Sequence, residues 1–181
     1  QQAPLRMLPA NQRLHTHHAA GGKLDLWLVV EQELLALQGQ AQVIAHVQLT
    51  QAYRLYVLAV AKQPELAAMN RLREQRDLSA MGRWMLAAGY AHVGQRDAAK
   101  RLVEGISDVV PPYAEQGHTY GSDLRDEAII AEALMAMGET AKAAGVIQRL
   151  ARNLSSDGWY STQTTAFALM ATVHFAGQDK L

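Results

Sequence analysis

The chain has 181 residues, with 17 Lys and Arg against 17 Asp and Glu, 49% hydrophobic and 19% charged residues, five prolines and no cysteine. At about 150 residues per domain this is one domain, able to bury about two thirds of the surface its unfolded chain exposes. A disulfide scaffold, a cysteine–zinc site and a thiol nucleophile are excluded, and a net charge of +0 supplies no footprint for nucleic acid.

Apolar stretches such as Leu26 to Val30 and Ala166 to Val173, the latter broken by Thr172, fall short of the roughly 18 residues of a spanning helix, so direct membrane insertion is not expected. The chain opens on Gln1 without a basic segment leading into an apolar one, and it reads as a processed chain or an excised fragment. Residues 1–23 hold Pro4, Pro9, Gly21 and Gly22 with no sustained apolar spacing and are expected to be an irregular lead-in. His15, His17 and His18 lie there; without a companion cysteine or positioned carboxylate they are read as a solvated loop rather than a metal site.

From Leu24 onward apolar residues recur at three and four, which predicts an all-α chain over residues 24–181. The expected helices cover 24–38, 50–63, 64–74, 79–93, 96–107, 122–137, 140–154 and 161–176, with a long connection near 108–121. Thr140 and Ser161 are candidate caps, and Gly94, Gly138, Gly158 and Gly177 are candidates for the left-handed position that ends a helix.

Helices 50–63, 79–93, 122–137 and 161–176 are apolar or small on most faces, which predicts burial on more than one side. Helices 64–74, 96–107 and 140–154 show a single apolar stripe, for example Ala99, Leu102, Val103 and Ile106. Stop positions at Lys62, Gly94, Gly138 and Gly177 close similar hairpins at irregular intervals, so a fixed-period repeat fits poorly. A two-layer arrangement of inner and outer helices, an incomplete α/α toroid, fits better; an α-helical hairpin solenoid is the alternative.

No nucleophile elbow, zincin, phosphate-loop or dinucleotide motif is present, and no catalytic residue, metal or cofactor is expected. Asp123, Asp126 and Glu127 crowd one helix start, where acids suit the helix dipole and Arg125 supplies a counter-charge. Glu132 sits on an inner helix and needs a partner if buried, with Arg125 or Arg83 as candidates. His46, His92, His118 and His174 read as isolated packing or surface residues. Trp159 is expected to cover the end of its hairpin.

Two segments carry a resemblance. Tyr120-Gly121-Ser122-Asp123-Leu124-Arg125-Asp126-Glu127-Ala128, followed by Trp159-Tyr160-Ser161-Thr162-Gln163-Thr164-Thr165-Ala166-Phe167-Ala168-Leu169, resembles the bacterial alpha-2-macroglobulin family, especially forms found in Bacteroidetes. Leu49 to Tyr56 and Glu65 to Leu72 are similar to it as well, so the likeness covers most of Leu49 to Leu181.

The resemblance implies part of the thioester-type α/α toroid domain of a periplasmic, envelope-associated endopeptidase inhibitor that traps proteases. Its partners would be the other domains of the parent molecule, and proteases would be the targets of the whole. Many members form an internal thioester from Cys-x-Glu-Gln. Here Tyr113-Ala114-Glu115-Gln116 has only the Glu-Gln half, and tyrosine cannot form the bond. The implied function is therefore a non-catalytic structural and interaction domain. Rival classes are a toroid enzyme of the terpenoid-cyclase or sugar-processing kind, disfavoured by the lack of an Asp-x-Asp-Asp motif, and a helical-repeat scaffold that binds peptides.

Overall fold

The helical periodicity becomes seven α-helices in the computed structural model, which describes residues 24–115 and 121–178. They are α1 (Leu24–Val60), α2 (Leu66–Arg73), α3 (Ala80–His92), α4 (Arg96–Leu102), α5 (Asp123–Met137), α6 (Thr140–Leu154) and α7 (Thr162–Gln178). The expected lead-in with its three histidines, and Gln116, His118 and Tyr120, lie outside the described residues. The chain divides into two units, Gln1–Ala41 and Gln42–Leu181. The described part of the first is the opening of α1, and everything that follows concerns the second.

The fold is all-α, as the apolar spacing requires. Two expected helices are one: α1 runs through residues 39–49, where a break was expected. That stretch contains no proline, and a lone Gly39 costs only about 1 kcal/mol relative to alanine, too little by itself to interrupt a helix. Helix α4 is shorter than expected, stopping at Leu102 ahead of a left-handed Gly105.

Lys62, Gly94 and Gly138 adopt φ of 62°, 83° and 80° and turn the chain as expected. Gly177 does not, since it lies inside α7, and Gly158 has no positive φ. The turn after α6 is closed by side chains instead: the Tyr160 hydroxyl donates to the Asn153 carbonyl at 2.6 Å and meets Ser156 Oγ at 2.8 Å. Gly158 is required there by space, because a Cβ would fall 2.7 Å from that tyrosine oxygen. Thr140 is not a cap either. Glu139 holds the capping position without a side-chain hydrogen bond to the helix, and its carboxylate pairs with Lys100 at 2.6 Å and Lys142 at 3.2 Å.

Burial separates the helices. Helix α3 is buried from Trp84 through Ala91, and α5 from Leu124 through Met135. These two have neighbours on several sides: α3 packs on α2, α4 and α5, while α5 packs on α3, α4, α6 and α7. The outer helices bury one stripe each, in α6 the set Ala143, Val146, Ile147 and Leu150. Each fully buried Val or Leu of that stripe stabilises the fold by about 1.5–3 kcal/mol.

Helices α1 and α7 depart from the expectation of burial on more than one side. In α7 only Thr164, Ala168 and Ala171 are buried, whereas Leu169, Met170 and Val173 face water. In α1, Ala52, Leu55, Tyr56 and Ala59 are buried and Tyr53, Val57 and Val60 are exposed. Apolar composition alone does not bury a helix; packed neighbours do. Helix α1 meets α3 at Gly89, where an added Cβ would lie 3.2 Å from Met69 Cε and 3.6 Å from the Tyr56 backbone.

Candidate functional site

The N-terminal ends of α5 and α7 lie side by side, joined by hydroxyls. Ser122, extended at φ −152° and ψ 158°, caps α5 by accepting from the Arg125 amide at 3.1 Å. Ser161 caps α7 in the same way, accepting from the Thr164 amide at 3.1 Å. Thr164 Oγ1, buried between them, lies 2.8 Å from Ser122 Oγ and 3.0 Å from Ser161 Oγ. The connection into α5 is pinned by an antiparallel bridge between Ala114 and Ser122, with the Glu115 amide donating to the Gly121 carbonyl at 2.8 Å.

Behind this seam stands a buried charge pair. Arg125 donates through Nε and Nη2 to Asp126 Oδ1 at 3.0 and 2.8 Å, and the Tyr113 hydroxyl donates to Oδ2 at 2.6 Å. Burial raises the Asp126 carboxyl above its ordinary range, and Arg125 and Tyr113 pull it back only in part. Burial also raises the Tyr113 phenol, and its bond to Asp126 adds to the effect. Glu127 is likewise raised by burial and opposed by Arg149, 3.3 Å away. The acids at this helix start therefore do more than complement its dipole: Asp126 and Glu127 tie α5 to the preceding loop and to α6.

Between these helix ends lies a cleft of about 530 Å³. The structure brings Gly121, Ser122 and Leu124 together there with Trp159, Ser161 and Thr164, so members of the two distant sequence segments share one surface. Arg125 and Gln163 line a smaller pocket of about 210 Å³, formed with Tyr53, Met85 and Phe167 between α1, α3, α5 and α7. Its lining contains no carboxylate. Thr162 is exposed and Thr165 half-buried, and neither joins the cleft. Trp159 does not cover the hairpin end as expected. Tyr160 closes that turn, and Trp159 stands 90% exposed at the lip of the cleft.

A second constellation, in which the same four helices each supply one residue, was not foreseen. Glu132 pairs with His174 through Nδ1 at 2.7 Å, not with Arg125 or Arg83 as expected, and His174 is accordingly not isolated. Burial raises Glu132, with His174 opposing the shift. His92, whose Nε2 is buried without a partner, is held below the ordinary histidine value by burial, then by Lys62 and His174. Tyr56, 5.8 Å from the His92 ring, is pushed up to about 12 by burial and by Glu132. The 42 residues separating Glu132 from His174 carry no spacing signal that would have paired them.

Among the described residues no group of three or more His, Cys, Asp or Glu could hold a metal ion, and no helix is long and apolar enough to cross a membrane. No family model matches the chain, and neither a curated protein nor a solved structure matches it.

Proposed function

We propose that this chain is a non-catalytic structural and interaction domain of a bacterial alpha-2-macroglobulin-like endopeptidase inhibitor, part of its thioester-type α/α toroid. The parent molecule would act as a protease trap in the periplasm or cell envelope, with no thioester chemistry in these residues. One observation carries the reading. Two of the segments on which the resemblance rests, 120–128 and 159–169, meet through Ser122 Oγ and Thr164 Oγ1 at 2.8 Å, so their distinctive hydroxyl residues have a joint structural purpose. The outward apolar faces of α1 and α7 agree with a domain whose remaining surfaces are covered within a larger molecule.

The test is the flanking coding sequence, followed by expression of the complete reading frame. Repeated β-sandwich modules, and a trapped protease that still cleaves a small peptide but no longer cleaves a large protein, are expected. A start codon next to Gln1 with a stop codon after Leu181, or equal loss of both activities, overturns the proposal.

A further inference from the structure

We propose that the cleft between the N-terminal ends of α5 and α7 binds a polypeptide segment presenting a lysine or arginine beside an apolar side chain. The cleft, about 530 Å³, is large enough for one or two side chains of a bound strand. Its aromatic lining is Tyr113, Trp159 and Tyr160, and the indole is 90% exposed. An exposed tryptophan at the lip of a concavity is the kind of residue that dominates binding energy once covered, and its face attracts a cation.

The charge of the lining points the same way. Asp123 and Glu115 contribute carboxylates, and among the described residues no Lys or Arg lines the cleft. Glu115 lies 3.3 Å from His46, whereas the Asp123 side chain has no hydrogen-bond or ion-pair partner among the described residues. A cationic side chain would complement it.

The hydroxyls decide against a saccharide. Ser122, Ser161 and Thr164 bond one another, Tyr113 donates to Asp126 and Tyr160 to Asn153. That leaves few hydroxyls to receive a polyol, while the Trp159 indole and the Asp123 carboxylate remain open.

The cleft would take such a segment whatever the parent molecule does, so failure of the inhibitor reading leaves this proposal standing. The test uses the intact chain and the peptides acetyl-Gly-Leu-Arg-Gly-amide and acetyl-Gly-Leu-Glu-Gly-amide, with cellobiose as the sugar probe, followed by amide and indole NMR signals. The arginine peptide is expected to shift the Trp159 indole and Asp123 amide saturably, with affinity about tenfold above that of the glutamate peptide. Asp123→Asn should abolish the preference between the two peptides, and Trp159→Ala should weaken both by about tenfold, with spectra elsewhere unchanged. Equal affinity for the two peptides, no saturable shift up to about 10 mM, or preferential binding of cellobiose overturns it.

Discussion

Helices α5 and α7 are close in length and both read as inner helices, yet α5 is buried from Leu124 through Met135 while α7 buries three residues and exposes Leu169, Met170 and Val173. The difference lies in their surroundings. Helix α5 packs along α3, α4, α6 and α7, whereas α7 packs along α5 and α6 and meets α1 through Phe167 and Tyr53, whose rings lie 6.4 Å apart. Two sequences of like apolarity thus have different energetic weight, and substitutions should expose the gap.

The largest effect is expected from Leu134→Ala. This side chain is fully buried in α5, and its loss should destabilise the chain by about 2–5 kcal/mol in a denaturant titration, with the slope unchanged. A loss below about 1 kcal/mol would mean that the core collapses around the gap. Next comes Ser122→Ala, which removes the α5 cap and leaves Thr164 with Ser161 alone. A cost of about 1 kcal/mol is expected, and hydrogen exchange should quicken at the amides of the first turns of both helices.

Smaller still is the pH response of the Glu132–His174 link between them. Glu132 keeps its proton to a higher pH in the native state than in the unfolded chain, whose value is near 4.5. Its contribution to stability is therefore full below about pH 4.5 and is lost as pH rises through its raised value. Glu132→Gln should flatten this fall in stability as pH rises above about 4.5. The response of His92 has the opposite sign, since its contribution is lost as pH drops below about 6.5, and it should persist in the variant. Identical pH profiles for the two proteins would remove Glu132 from the account. The smallest change belongs to Leu169→Ala, expected within about 0.5 kcal/mol of the parent chain; a loss as large as that of Leu134→Ala would mean that the exposed α7 face is covered in solution.

Periodicity carried most of the fold because a helix buried on one stripe or on every side must show that pattern in its residues. The Arg125–Asp126 pair was legible for the same reason, being adjacent in sequence and at one helix start. The merger of two helices into α1 was not, since a glycine without a proline is ambiguous and only packing decides whether the chain turns. Trp159 was misplaced because an indole suits a cover and a lip equally well, and the hydrogen bonds of Tyr160 settled which residue closed the turn. The Glu132–His174 pair joins helices through the register of α7 against α5, a quantity fixed by three-dimensional packing and absent from any local spacing.

The turn at Lys62 has a consequence of its own. Its φ of 62° places a side-chain-bearing residue where the backbone costs about 1–2 kcal/mol, a position glycine would occupy freely. The lysine also helps keep His92 below the ordinary histidine value, so its charge bears on whether that ring holds a proton. A glycine here would relax the bend and remove one of the charges that oppose protonation of the imidazole, leaving burial as the main one. The residue that turns the chain after α1 therefore also adds to the effect of burial on a histidine of a neighbouring helix.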